Sequence, residues 1–458
     1  MNYTSISDRQ RGEMLEAIGV ESIEALFEII PESSRLRGEL DLPLAASELE
    51  LQREIAELTE QNRGTHELSC FMGGGAYDHF VPAFIDQMIS RGEFLTAYTP
   101  YQGEASQGSL QAFFEFQSQV ARVTGMDIAN ASLYEGASAA GEAVLLSLNM
   151  TGKRRVLVAS SVHPHTRDVI RTMISDLAAE YVEVDAGDDG VVSPEHVTAA
   201  CDDDTACLVL QSPNVFGLVE NWSACFDAMR GACDSGKKPL AIASCNPIAC
   251  ALLKNPGDSG ADIAVGEGQP LGIPLQLGGP YVGLFAAKKE FTRKMPGRLV
   301  GMSEDADGRR AFTLTLQTRE QHIRGAKATS NICTNQGLLA LRATMYMAAM
   351  GPQGLREVAE QCWHKAHDLA KQIDALDGFS LKYPGHFFHE FVVECPIPAR
   401  VIIDQAKEFG FLAGIDLSHN RIGAIGGEHD LLVSVTEKRT KDELDRFARA
   451  LAEITRSA

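Results

Sequence analysis

Basic residues are scarce in this chain. Lysine and arginine number 41 against 62 aspartates and glutamates, a formal net charge of −21 over 458 residues. So acidic a chain is repelled by the phosphate backbone of DNA or RNA, which argues against nucleic-acid binding. The short basic run Lys153-Arg154-Arg155 reads as a solvated turn before a strand. Long apolar runs are missing as well. No stretch of about 18 apolar residues is free of charge, so no membrane-spanning helix is expected. The opening MNYTSISDRQRGEML lacks the apolar segment of a signal peptide, and the cytoplasm is the expected location. No two of the ten cysteines form a C-x-x-C pair. They read as reduced, mostly buried thiols, as in the run CLVLQ that starts at Cys207, and not as a disulfide framework. His163 and His165 lie two apart with no second ligand cluster, so no metal is expected. Internal repeats and low-complexity linkers are absent.

What is there is the composition of a globular enzyme, 45% hydrophobic and 22% charged, long enough for a large domain plus a smaller one. Residues 1–65 read as a helical N-terminal extension packed on the main body. Ser47 and Glu50 are spaced as a capping box, and Leu51, Ile55 and Leu58 then share a helix face. Across 66–330 short β-branched or apolar runs alternate with amphipathic ones: RRVLVAS, TRDVIRTMISDLA, YVEVD, PEHVTAAC, ACLVLQ, PLAIAS and ADIAVG. That alternation predicts a mostly parallel sheet flanked by helices. Residues 331–458 predict a smaller α/β domain. It is entered by a long helix over about 334–375, interrupted near Gly351-Pro352, and it ends on a helix capped by Thr440 and Glu443.

Three segments carry polar groups suited to binding. In SLYEGASAAGEA, the small residues Gly136, Ala137 and Ser138 stand at a helix start, where free N–H groups attract an anion; an ordinary helix start with tight packing is the alternative. In LTAYTPYQGEASQG, Tyr98, Tyr101 and Gln102 offer hydroxyl and amide groups ahead of a helix. Proline between the tyrosines makes the turn rigid, so that both hydroxyls can be presented from it. Simple packing of the aromatics is the alternative. In RGAKATSNICTNQ, Arg324 and Lys327 precede Thr329, Ser330 and Asn331, a set suited to a carboxylate or phosphate, or to capping another helix. A fourth segment, Gly266-Glu267-Gly268 with Gly272, imitates a dinucleotide fingerprint. Its spacing is wrong, Pro270 lies inside the turn and no helix pattern follows.

Taken together, FMGGGAYDHFVPAFI, FLTAYTPYQGEASQGSLQAFFEFQ, LYEGASAAGEA, SPNVFGLVEN and KATSNICTNQGLLALRATMYMA resemble the N-terminal half, or alpha subunit, of the P-protein family, glycine dehydrogenase (decarboxylating). The resemblance covers nearly the whole chain. It implies a fold-type-I, aminotransferase-like pyridoxal phosphate (PLP) enzyme of the glycine cleavage system.

Within that resemblance the decisive feature is an absence. The family's catalytic half carries a His-Lys pair after the strand that corresponds to ADIAVG, and the lysine holds PLP as a Schiff base. Gln269-Pro270 stand there in this chain, and no lysine occurs between Lys254 and Lys288. The acidic partner of the pyridine nitrogen is missing from AIASCNP, where Ala243 or a neighbour takes its place. PLP acts as an electron sink only with its ring nitrogen protonated, so a chain without either group cannot readily run the chemistry alone. The resemblance therefore implies PLP on a homologous beta subunit, in an assembly of two alpha and two beta chains. That assembly would decarboxylate glycine and pass the aminomethyl group to the lipoamide of H-protein, in functional linkage with T- and L-proteins. This chain would complete the partner's site, with Tyr98, Tyr101 and Gln102 reaching across the interface and Lys327, Thr329, Ser330 and Asn331 contributing to PLP or substrate binding. Two other readings stand beside it: a structural or regulatory subunit with a vestigial pocket, and a self-sufficient enzyme that uses an unusual lysine such as Lys327.

Overall fold

Ser47 and Glu50 do cap each other: the Ser47 hydroxyl accepts from the Glu50 N–H, and the Glu50 carboxylate accepts from the Ser47 N–H. The computed structural model describes residues 5–36, 38, 40–233, 236–332 and 334–457. It divides into two units, Met1–Arg63 and Gly64–Ala458. In the first, helix α1 (Asp8–Ile18) opens on a second capping box, Ser7 with Gln10, and ends on Gly19 in the left-handed region. Helix α2 (Glu48–Thr59) follows a stretch of short turns. Neither helix has a buried residue, and Leu51, Ile55 and Leu58 share an exposed stripe.

The second unit is built on seven strands: β1 (Ile128–Ala129), β2 (Arg155–Ala159), β3 (Glu180–Val184), β4 (Thr205–Ser212), β5 (Leu240–Cys245), β6 (Ile263–Glu267) and β7 (Gly283–Ala287). Their order is β1-β7-β6-β5-β4-β2-β3. Strands β2 to β6 run parallel, and β7 turns antiparallel to β6 and to β1. The runs expected as strands all fall in this sheet. Helices cover both faces, so β4 and β5 are apolar and buried nearly throughout, as parallel strands usually are. Helix α3 (Gln107–Thr124) precedes the sheet. Helices α4 (Gly136–Thr151), α5 (Pro164–Ile174), α6 (Pro194–Ala200) and α7 (Trp222–Ala232) connect its strands. A hairpin, β8 (Leu299–Glu304) with β9 (Arg310–Thr315), extends beyond it.

The long helix α8 (Gly337–Asp374) breaks at Gly351, whose φ of 60° and ψ of −179° are open only to glycine. Pro352, with no N–H to donate, starts the second half. Four antiparallel strands follow, β10 (Ser380–Leu381), β11 (Glu390–Glu394), β12 (Ile415–Asp416) and β13 (Asp430–Ser434), in the order β10-β11-β13-β12. Helices α9 (Ala399–Ala406) and α10 (Lys441–Ser457) pack with them. Helix α10 buries Leu444, Phe447, Leu451 and Ile454, the face expected from its periodicity. One early segment joins this layer. Ser69–Cys70 pairs in parallel with Phe411–Leu412, and Phe71 stacks on Phe447 with ring centroids 4.1 Å apart.

Candidate functional site

A cavity of about 280 Å³ opens at the carboxyl ends of the parallel strands, the usual place for a ligand in such a sheet. Its walls include Gly136 and Ala137 at the start of α4, His163 before α5, Asn246 after β5, and Glu267 and Pro270 at the end of β6. The cavity contains two carboxylates. Glu135 is the N-cap of α4; its Oε1 accepts from the Ser138 N–H at 2.8 Å and from the Ser138 hydroxyl. Glu267 reaches the same helix start from the opposite side, accepting from the Gly136 N–H at 3.0 Å through Oε2. Its Oε1 accepts from the N–H groups of Gln269 at 2.9 Å and Val282 at 3.2 Å. Only glycine fits at position 136, since a Cβ would stand 2.8 Å from the Glu267 backbone nitrogen. Burial pushes the Glu267 carboxyl up to about 7, against the pull of its three N–H donors.

His163 forms another wall. Its Nδ1 accepts from the His165 N–H at 3.2 Å, which leaves Nε2 to donate to the Gly74 carbonyl at 3.0 Å. Burial, with His165 adding to it, lowers the imidazole to about 4 and keeps it neutral. From the sequence, His163 reads only as a weak metal-ligand candidate beside His165. Among the described residues, the group whose ligand atoms lie within 4.8 Å of one another is His79, Cys362 and Glu437. There His79 Nδ1 is 2.7 Å from a Glu437 oxygen, and the other Glu437 oxygen accepts from the Phe80 N–H.

The glycine run of FMGGGAYDHF closes the cavity's remaining side, with Gly74, Gly75, Ala76 and Tyr77 in its lining. Glu390 of β11 holds it: Oε1 accepts from the Gly74 N–H at 2.6 Å and Oε2 from the Tyr77 hydroxyl at 3.0 Å. The next residues are clasped by Thr436-Glu437-Lys438-Arg439. Asp78 pairs with Lys438 at 2.7 Å and Arg439 at 3.0 Å, and its carbonyl accepts from the Thr436 hydroxyl. The cavity thus joins the large sheet to the C-terminal layer.

The sequence-derived positions divide. Pro270 lines this cavity, and the neighbouring Gln269 is buried. The Gln269 amide accepts from the Tyr77 N–H and donates to the carbonyls of Tyr77 and Ile273. At the end of β5 the cavity-facing residues are Ser244, Cys245 and Asn246; Ala243 is buried behind them. None of the four is acidic.

The other seven positions lie outside the cavity lining. Tyr98 and Tyr101 border a separate hollow of about 330 Å³ with Thr334 and Asn335. The two tyrosines differ in their surroundings. Tyr98 is 93% exposed, whereas the Tyr101 hydroxyl is used internally, 3.0 Å from Thr334 Oγ1 and 2.5 Å from Asn335 Oδ1. The Arg298 guanidinium lies 4.5 Å over the Tyr101 ring. Gln102, Lys327 and Asn331 are exposed, and Thr329 and Ser330 half-buried. Burial raises the nearby Glu142 carboxyl to about 7, against the opposing pull of Ser330. Thr329 and Asn331 do not cap the following helix. It starts at Gly337 on Gln336 without a side-chain cap, because the loop runs further than the sequence suggests. Cys333 lies outside the described residues.

The family model described as "Glycine cleavage system P-protein" matches residues 1–451. A "Probable glycine dehydrogenase (decarboxylating) subunit 1" of Chlorobium chlorochromatii (strain CaD3) is 48% identical over 454 residues, covering 99% of this chain and 100% of the relative. One of the same name from Bacillus cereus (strain AH187) is 44% identical, with 99% of each covered. Among solved structures, a glycine decarboxylase (P-protein) of the glycine cleavage system in inhibitor-bound form superposes with a TM-score of 0.90 at 40% identity, covering 99% of this chain and 100% of that one. Lactobacillus brevis glutamate decarboxylase, at 12% identity and a TM-score of 0.67, shares the fold, which is that of the fold-type-I PLP enzymes.

PLP itself does not fit this chain's cavity. No lysine is among its lining residues, no acid stands at the end of β5, and the N–H groups of Ser138 and Gly136 at the helix start are bonded to Glu135 and Glu267.

Proposed function

Because the chain belongs to the glycine cleavage system P-protein family, we propose that it is the alpha half of a two-subunit glycine decarboxylase whose PLP is carried by a homologous beta subunit. The observation that carries this reading is the cavity. It lies at the carboxyl ends of the parallel strands with no lysine in its lining, and in this reading Pro270 stands where the family's catalytic half has its lysine. When bound on the partner, PLP supplies the electron sink for decarboxylation. This chain supplies surface. Tyr98, Leu95, Phe80, Leu277, Met302 and Ile323 are exposed apolar or aromatic side chains, of the kind a partner normally covers. Tyr98 and Gln102 are the residues of the first loop free to reach the partner's site. Lys327 and Asn331 are their counterparts in the second, with Thr329 and Ser330 behind them.

The assembled enzyme, two alpha and two beta chains, takes glycine, releases CO2 and delivers the aminomethyl group to lipoylated H-protein in the cytoplasm. No helix among the described residues is long and apolar enough to cross a membrane. The test is co-expression with the candidate beta subunit, sedimentation of the separate and mixed chains, and a glycine–CO2 exchange assay. Exchange that needs both chains is expected. Full exchange by the beta chain alone, with no mixed species on sedimentation, would sink the proposal.

A further inference from the structure

The mismatch between a PLP fold and a cavity that does not suit PLP has a specific form: the anion-holding end is filled, not merely stripped of its ligands. Three backbone N–H groups from three separate segments converge on one carboxylate. Gly136 comes from the start of α4, Gln269 from the turn after β6, and Val282 from the approach to β7. A fourth N–H, that of Ser138, is taken with its hydroxyl by Glu135. Convergent N–H groups at a helix start and strand ends make a site for a compact oxyanion. No lysine or arginine lines the cavity to bring in a mobile anion.

We propose that Glu267, seconded by Glu135, is the resident anion of this cavity, an intramolecular substitute for the phosphate of the cofactor, and that its removal opens a site for inorganic phosphate or a phosphate monoester. The proposal concerns this chain's own cavity and stands whether or not the beta-subunit reading holds. Buried backbone donors need partners. Glu267 satisfies three of them with two oxygens, which is the task a phosphate oxygen performs at a helix start. Gly136 belongs to the same device, because any side chain there would separate the helix start from the Glu267 backbone. Above about pH 7, where the Glu267 carboxyl is ionised, an incoming phosphate meets like charge and no free donor.

The experiment uses the full chain as wild type, Glu267→Ala, Glu267→Gln and Glu135→Ala. Equilibrium dialysis measures uptake of inorganic phosphate, of pyridoxal 5'-phosphate and of pyridoxal, which lacks the phosphate. Wild type is expected to take up none of the three at millimolar concentration. Glu267→Ala is expected to take up one equivalent of phosphate or of pyridoxal 5'-phosphate, at least about tenfold tighter than wild type and than its own uptake of pyridoxal. Glu267→Gln keeps an acceptor in the cup and should remain closed to phosphate. Glu135→Ala, with Glu267 still in place, should also remain closed. The thermal midpoint of Glu267→Ala, lowered by the lost acceptor, should rise with phosphate or acetate but not with chloride at equal ionic strength. Should that variant fail to accumulate in folded form, refolding from urea with and without acetate or phosphate takes the place of dialysis. The proposal is overturned by a folded Glu267→Ala that takes up no phosphate, by refolding that neither anion improves, by uptake that does not depend on the phosphate group, or by stoichiometric phosphate uptake in the wild type.

Discussion

The Tyr101 hydroxyl lies 2.5 Å from Asn335 Oδ1, and that contact ties together two loops 234 residues apart in sequence. Asn335 passes the tie on, donating from Nδ2 to the Ala131 carbonyl at 2.5 Å. Tyr98, three residues before Tyr101, has no such duty and faces solvent. The two phenylalanine variants should therefore separate folding from function. Tyr101→Phe removes the hydroxyl's bonds to Asn335 and Thr334 and should cost about 1–2 kcal/mol of stability in urea denaturation. Tyr98→Phe should leave the stability of the isolated chain within about 0.5 kcal/mol. If the Tyr98 hydroxyl reaches a charged group in the partner's site, glycine decarboxylation by the assembled complex falls roughly tenfold or more. Retention of at least half the activity with intact assembly would make Tyr98 a packing residue.

Gly73 and Gly217 both abut Glu390, in different ways. A Cβ on Gly73 would collide with the end of the Glu390 side chain, and one on Gly217 with its backbone carbonyl. Gly217 also has a φ of 84°. A side chain can shift more readily than a strand, so Gly217→Ala should be the more damaging substitution. About 2–4 kcal/mol is expected for it and about half of that for Gly73→Ala, since overpacking and backbone strain add only at position 217. Equal losses in chemical denaturation would contradict this account.

Burial raises the carboxyls of Glu142, Glu267 and Glu390 to about 7 each. An unfolded chain sheds these protons near the ordinary value of 4.5, so between about 4.5 and 7 the folded form binds more protons than the unfolded one. Stability should consequently fall as pH rises through that window and level off above it. Glu390→Gln keeps an acceptor for the Gly74 N–H and removes one titrating group. It should flatten the decline by on the order of 3 kcal/mol at most between pH 5 and pH 8. Parallel stability profiles for variant and wild type would show that Glu390 does not contribute.

Borohydride reduction of the chain after incubation with PLP, followed by peptide mapping, should find no stoichiometric pyridoxyl-lysine. Lys327, the alternative considered from sequence, is exposed and outside the lining of the strand-end cavity. A single fully modified lysine at that or any other position would restore the self-sufficient reading.

The break in α8 can be tested by itself. A Cβ on Gly351 would meet no atom within 4 Å beyond its own neighbours and the helix backbone, so Gly351→Ala isolates backbone strain from packing. A loss of about 1–3 kcal/mol is expected in thermal or urea unfolding. A neutral result would mean that the helix straightens at little cost.

Local signals in the sequence account for the elements. The capping boxes at Ser47 and Thr440, the apolar runs of the central strands and the Gly351-Pro352 break each lie within a few residues, and each forms as expected. Pro270 was legible because a lysine gap is a property of one segment. Glu267 was not, since its meaning depends on Gly136, 131 residues earlier, and on Val282, 15 residues later. Read locally, Glu267 is only the middle of a failed dinucleotide motif. Glu390 is similar, bonded to Gly74 across 316 residues. The two tyrosines look alike in TAYTPYQ, and only the approach of Thr334 and Asn335 tells them apart.

A ligand stabilises a fold in proportion to the logarithm of its free concentration and is lost on dilution. A carboxylate carried on the strand beside its own binding cup is held at a fixed effective concentration by the chain itself. The Gly136–Glu267 contact therefore persists through dialysis, dilution or a shortage of vitamin-derived cofactor. The folding of this polypeptide is in that respect uncoupled from cofactor supply, and a newly made copy closes this cavity without waiting for a cofactor.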